Sequence, residues 1–548
     1  MASPNQIFET VAVKEPPRSY FNLSHTWKST VDFAYLIPNL VLDVVPGDVV
    51  KCNTNIFIRA MALFAPIMHA VDIYQHYFYV PDRLVWDNYD KFYFEQKNET
   101  AETIPIRPYL LPPDGPQSAQ ELWPLWRDVG SLADYMGLPL WDARTQQRAS
   151  DEDVTLCSLP FRGYQLIYND YFRDENLMPE IEINKGDGLE STEDMLKIMQ
   201  IRKRCWEKDY FTSALTQPQM GNAVGFGVDA GSLRVQLDPG SLADPDYIPR
   251  IVTPDGATTG LAALNKYAEG GISGPLFATS NGQNYGAYLD PSGSLIVTGN
   301  NYVTIEQLRQ QMRLQEMKEL LNRGGHRYNE VVRNLYGVIP DDLRIGRPSY
   351  LGGGKQNLVI SEVLQQSQST TTTALGEGAG HAISVGSDNR FRCIVKEHGY
   401  IFGIMSIRPR AEYAQGVDKH WLKRDRYDFL NPKFAHLGEQ PVYNGELFFD
   451  YYDGKNREGF GYQPVFEEYR NKPSSVHGAF RNSLAFWTLA RRFASRPNLN
   501  ANFVEMNPDT MNTIFAVTEA SDGSHFACEV EHNLHLLRRL PKSGIPTL

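Results

Sequence analysis

The chain has 548 residues, 42% hydrophobic and 12% aromatic, with a formal net charge of −12. That composition supports a large core and excludes a disordered polymer or a disulfide-stapled miniprotein. The acidic balance argues against sequence-independent binding of duplex nucleic acid by the whole surface, while leaving room for local basic patches. The 34 prolines and 43 glycines are scattered, which favours many turns and long ordered loops over a helical bundle. Five widely spaced cysteines (Cys52, Cys157, Cys205, Cys393 and Cys528) form no CxxC pair and read as reduced thiols of a cytosolic product. The first residues, MASPNQIFETVAVKEPPRSYFNLS, contain no apolar signal region, and no 18-residue apolar run follows, so no membrane insertion is expected. The glycosylation-type sites at Asn22 and Asn98 then carry little meaning.

In chain order, residues 34–48 (AYLIPNLVLDVVPGD) read as a strand closed by a Pro-Gly-Asp turn. Residues 49–63 alternate, with Ile56, Ile58 and Ala60 facing one way and Asn55, Phe57 and Arg59 the other. Residues 71–86 form a Tyr-, Phe- and Val-rich strand that stops near Pro81, and further strands are expected in 392–413 and 445–454. Strands early, strands late and loops between imply a sheet whose spatial neighbours are distant in sequence, the wiring of Greek-key and jelly-roll barrels.

Residues 221–303 change character. They hold fourteen glycines, three Lys or Arg and seven Asp or Glu, with short strand-like pieces SLRVQL and GSLIVTG. A structureless loop of that size is improbable in a compact domain, so the segment reads as an inserted surface subdomain. A helix should return the chain. Thr304 is its expected N-cap, Gln307 completes a capping box, a stripe runs from Ile305 through Leu308, Met312, Met317, Leu320 and Leu321, and Gly324-Gly325 is the stop. A second short helix is expected from Tyr328 to Tyr336, closing a helical return segment over 304–340, and residues 365–380 read as a polar loop.

Enzyme motifs are weak. LGGGKQ (351–356) lacks phosphate-loop spacing and reads as a Gly-rich turn. CEVEHNLH (528–535) crowds Cys528, His532 and His535, but on a strand His535 would point away from the other two. KGDGLESTED (185–194) departs from EF-hand spacing and reads as a solvated turn. HExxH, GxSxG and GxGxxG with a following acid are all missing, so no catalytic residue, cofactor or metal is assigned.

One charge feature stands out. Residues 469–504 contain no Asp or Glu but include Arg470, Lys472, Arg481, Arg491, Arg492 and Arg496, interleaved with Phe480, Phe486, Trp487 and Phe493. Arginine beside aromatic rings suits single-stranded nucleic acid, supplying charge for phosphates and π-faces for bases. The bland reading is a mostly buried amphipathic segment with a solvated basic edge.

Several blocks together resemble the major capsid protein of microviruses, small icosahedral single-stranded DNA phages, especially the gokushovirus-like branch. They are SYFNLSHTWKST (19–30), LDVVPGD (42–48), YQHYFYVPDRLVW (74–86), LIYNDYFRDENL (166–177), KDYFTSALTQPQMG (208–221), RPSYLGG (347–353), PVFEEYR (464–470) and LRRLPKSGIPTL (537–548). The resemblance spans nearly the whole chain and departs mainly in 98–150 and 221–303. It implies an all-β fold, an eight-stranded antiparallel jelly roll with long loop insertions and a few helices. It also implies a non-catalytic virion protein, assembled in the host cytoplasm as a T=1 shell of sixty copies around a circular single-stranded DNA genome. Implied partners are an internal scaffolding protein, a DNA pilot protein, a small basic DNA-binding protein and a host receptor.

On this reading Gly221–Val303 sits where relatives carry a threefold protrusion. Tyr247, Tyr267, Phe277, Tyr285 and Tyr288 become host-contact candidates, against a purely structural role for the segment. The first 20 residues carry only Lys14 and Arg18 against Glu9 and Glu15, so no basic arm is available to neutralise a genome. The acid-free window, with Arg538, Arg539 and Lys542, is therefore the expected inner wall, and charge reversal at Arg491 and Arg492 is expected to lower DNA content without blocking assembly. The rival from another class is a carbohydrate-active or carbohydrate-binding β-sandwich, because jelly rolls host both.

Overall fold

The computed structural model describes residues 18–93, 105–113, 120–140, 154–219, 221, 305–324, 346–364, 378–516 and 525–542. It also describes four strands between 233 and 297 and the helical residues 330, 331 and 334. The chain divides into two compact units, 219–324 and the remainder.

The larger unit is built on two sheets. Its strands are β1 (Ser19–Asn22), β2 (His25–Val31), β3 (Ile37–Val44), β4 (Val49–Ala60), β5 (Val71–Pro81), β6 (Ser349–Asn357), β7 (Val359–Leu364), β8 (Gly378–Ile394), β9 (Gly399–Pro409) and β10 (Phe526–Arg538). Sheet one has the order β1-β10-β4-β8-β7, with β2 also on β10, and sheet two the order β6-β5-β9-β3. All of these pairings are antiparallel. The fold is therefore all-β with few helices. The expected 34–48, 49–63 and 71–86 strands appear as β3, β4 and β5, and β5 ends on Pro81, whose ring removes the N–H that would continue the ladder.

The two sheets bury residues differently. In β4, residues alternate strictly: Cys52, Thr54, Ile56 and Ile58 are buried while Lys51, Asn53, Phe57 and Arg59 are exposed. Sheet one thus has one packed and one solvated face, as antiparallel sheets commonly do. In sheet two nearly every residue of β5 and β9 is buried. Helix α1 (Leu159–Ile167) explains this, because Leu159, Phe161, Tyr164 and Ile167 cover Phe78, Val80, Phe402 and Ile404 on the side away from sheet one. Between the sheets, Ile56, Ile58, Phe526 and Val530 meet Ile73, Met405 and Ile407.

A polar chain crosses that core. Tyr77 donates to the Thr54 hydroxyl, Thr54 donates to His532 Nδ1 (3.0 Å), and His532 Nε2 donates to the Asn39 carbonyl (3.0 Å). Asn39 and Gln75 close two reciprocal amide bonds beside it (2.8 and 3.0 Å). Each buried polar group named is satisfied, which is the condition for tolerating it there.

The smaller unit carries an antiparallel four-stranded sheet, Leu233–Gln236, Ser294–Val297, Gln283–Leu289 and Leu276–Ser280 in spatial order, and helix α2 (Ile305–Gly324). Leu308, Met312, Met317 and Leu320 of that helix are each about 40 to 60% exposed. Thr304 and most of the expected 328–336 helix lie outside the described residues.

One expected strand is replaced. Residues 445–454 begin instead as a helical turn, Asn444–Leu447, followed by bends. Glu446 decides this. Its buried carboxylate accepts from the Tyr443 N–H (2.8 Å) and from Tyr210 (2.8 Å), closing a capping box that an extended backbone could not form. Burial raises the Glu446 carboxyl above its usual range.

Candidate interaction surfaces

The acid-free window 469–504 folds as short turns, including Gly478–Arg481 and Ala485–Trp487, and ends in Ala501–Val504. Pro473, Pro497 and Gly478 (φ +65°) break any longer element. Its cations are largely committed within the chain. Arg491 is interior, 8% exposed: it donates to the Phe503 carbonyl (2.5 Å) and Tyr413 (3.2 Å) and lies 4.1 Å over the Phe503 ring. Arg492 donates to the carbonyls of Phe480 (2.6 Å) and Arg481 (2.8 Å), and Arg481 donates to the Val476 carbonyl (2.9 Å).

Arg470 pairs with Glu467 (2.8 Å), Lys472 with Asp418 (3.3 Å), and Arg496 with Asp453. Glu467 lies just before the window, while Asp418 and Asp453 come from other loops. Arg538 forms a two-point pair with buried Asp48 (2.7 and 3.1 Å), and the Arg539 side chain lies over Gly47. Lys542 is exposed. Arg470, Lys472, Arg481 and Arg492 are also exposed, while Arg496 is half-buried.

A second surface is apolar. Between residues 421 and 452, Trp421 (75%), Leu437 (59%), Tyr451 (86%) and Tyr452 (97%) stand in solvent. A single exposed ring is ordinary, but several within about thirty residues of chain give this stretch the aromatic composition enriched at interfaces.

The other motifs have structural roles. In 528–535, Cys528 and His532 are buried on one face and His535 lies on the other. Both His532 nitrogens are occupied, and burial, with His25 nearby, lowers its pKa to about 4. No group of metal-ligating side chains exists among the described residues. The glycines of LGGGKQ lie within β6 rather than in a turn. A Cβ on Gly353 would sit 2.2 Å from the Gln75 carbonyl oxygen, so they permit close backbone approach, not phosphate binding.

The segment 185–194, expected to be a solvated turn, is partly interior. Asp187 accepts from Trp86 (2.6 Å), and Glu190 is fully buried against Arg162 at 2.6 Å. Phe277, Tyr285 and Tyr288 occupy strand positions in the smaller unit's sheet, while Tyr247 and Tyr267 lie outside the described residues. Two features escaped the sequence reading: the exposed aromatics of 421–452, and the cations Lys51, Arg390 and Arg392 on sheet one. Extending the alternation already visible at Asn55, Phe57 and Arg59 back to Lys51 would have placed Lys51 on the solvated face, but not beside Arg390 and Arg392.

The described residues form a two-sheet β architecture with long loops, several of which carry exposed aromatic side chains. The capsid protein (F protein) family matches residues 10–548. The chain is 36% identical to capsid protein VP1 of Bdellovibrio phage phiMH2K over 89% of its length and 88% of that protein. It is 32% identical to capsid protein VP1 of Chlamydia phage 1 (99% and 97% covered) and 28% identical to that of Spiroplasma virus 4 (97% and 95%). This chain belongs to the capsid protein (F protein) family of the microviruses. It is a structural virion protein and not an enzyme, which replaces the carbohydrate-active alternative.

Proposed function

We propose that the chain assembles as a T=1 shell of sixty identical copies enclosing a circular single-stranded DNA genome. The observation that carries this is the exposure of Trp421, Leu437, Tyr451 and Tyr452, large apolar side chains that contact with another copy would desolvate. The strand order adds support. In β2-β10-β4-β8 and β3-β9-β5-β6 each sheet pairs early strands with strands from the second half of the chain, which is in keeping with the proposed eight-stranded jelly roll. Electron microscopy of the expressed protein is the test. Uniform closed particles support the shell, and persistent monomers sink it.

Residues 221–303 are proposed as a surface insertion at the threefold axis that contacts the host receptor. The separate compact unit 219–324 is in keeping with this. Replacing 222–303 by a short linker should leave the two-sheet unit folded and abolish attachment. Full infectivity of such particles would defeat the receptor role and leave a structural one. The exposed cations Arg470, Lys472, Arg481, Arg492 and Lys542 remain proposed genome contacts, with half-buried Arg496, Arg538 and Arg539 at their margin. An internal scaffolding protein, a DNA pilot protein and a small basic DNA-binding protein are proposed partners. The last would supply neutralising charge that a chain of net −12 lacks.

A further inference from the structure

The solvated face of sheet one carries a cluster of cations with no internal partner among the described residues. Arg392 of β8 lies directly opposite Lys51 of β4, and Lys51 lies opposite His535 of β10. In the adjacent row on the same face, Arg390 lies opposite Asn53 and Asn53 opposite Asn533. Strand spacing makes the rows roughly 7 Å apart and each row about 10 Å wide. Lys51, Arg390 and Arg392 are exposed, and among the described residues none makes an ion pair or side-chain hydrogen bond. Like charges facing each other on neighbouring strands cost stability. Elsewhere on this face, Lys28 meets Glu529 at 3.4 Å, and Glu531 accepts from Asn55 at 2.9 Å.

These six side chains line one groove of about 950 Å³, in which Asp388 is the single acid. Beside it, the exposed Tyr20 ring stacks on His535 (5.5 Å, 25°) and shares a 2.6 Å hydrogen bond with Nδ1. Unpaired cations, side-chain amides and an open aromatic face together match phosphates, base edges and base planes.

We propose that this groove binds single-stranded nucleic acid, with Lys51, Arg390 and Arg392 on consecutive phosphates and the Tyr20–His535 stack supporting a base. The assignment rests on the capsid reading and adds a site distinct from the acid-free window. An acidic peptide would satisfy the cations but leave the amides and the stack without a purpose, which favours the nucleic acid.

The test uses the purified full-length protein and a fluorescein-labelled oligothymidylate. Removing one cation from a phosphate should reduce the steepness of log K against log salt by about 0.7, so the triple variant Lys51→Gln/Arg390→Gln/Arg392→Gln should reduce it by about 2. Tyr20→Ala should weaken binding several-fold with the slope unchanged. An unaltered slope in the triple variant overturns the proposal, as does displacement of the oligonucleotide by polyglutamate at equal charge concentration. Should the triple variant fail to fold, acetylation of the wild-type protein decides. Oligothymidylate should protect Lys51, and undiminished labelling of Lys51 overturns the site. Particle formation, followed separately by microscopy, reports on the shell alone.

Discussion

His532 Nε2 donates to the Asn39 carbonyl at 3.0 Å, joining the last strand of sheet one to the first strand of sheet two through the core. Because Nε2 must carry the proton and Nδ1 faces the Thr54 hydroxyl, the ring is held neutral with Nδ1 as acceptor. Burial, then His25, lowers its pKa from 6.5 to about 4. The unfolded chain therefore binds the extra proton first as pH falls. This contribution is present in full above about pH 6.5, is lost progressively down to about pH 4, and amounts to roughly 3 kcal/mol. Denaturant midpoints should fall across that window. His532→Asn should lower the midpoint at pH 8 and flatten the acid slope, and an unchanged slope would refute the assignment.

Asp82 predicts the opposite dependence. Burial, then repulsion from Asp43, raises its carboxyl to about 7. The folded state holds the proton between about pH 4 and 7, so stability from this group declines as pH rises through that range. Asp82→Asn should raise the melting temperature at pH 8 and change it little at pH 4.

The Arg162–Glu190 pair is 1% and 0% exposed, and Arg162 also donates to the carbonyls of Val85 and Gly186 (3.0 and 3.1 Å). Removing one partner strands a buried charge, so Glu190→Gln should cost about 3–5 kcal/mol in chemical denaturation. A loss under about 1 kcal/mol would mean that water reaches the site.

Arg491 and Arg492 separate. Arg491→Glu places a carboxylate among Trp206, Tyr413 and Phe503 and should prevent folding rather than alter DNA content. Arg492→Gln removes two turn hydrogen bonds at the surface and should cost about 1–2 kcal/mol, measured by thermal melting. A soluble, well-folded Arg491→Glu protein would contradict this placement.

Trp421→Ser and Tyr452→Ser should leave the melting temperature of the isolated chain within a few degrees, because both rings are already in water. Assembly should suffer instead, with particle yield in sedimentation falling at least tenfold. Normal yield from the double variant would remove these rings from the subunit interface.

Local physics was legible from the chain alone. The period-2 pattern placed Ile56, Ile58 and Ala60 inside and Asn55, Phe57 and Arg59 outside, and Pro81 ended its strand, because alternation and a missing N–H act within a few residues. Family membership was also legible, since motif blocks are strings. What the sequence could not decide was which charges find partners. Arg491 and Arg492 are adjacent, yet one is interior beneath Phe503 and the other on the surface, and the acids that pair with Lys472 and Arg496 come from other loops. Lys51, Arg390 and Arg392, unremarkable in the chain and far apart along it, meet only because β4 and β8 pair. Burial and charge matching depend on contacts between distant segments, and those exist only once the two sheets have formed.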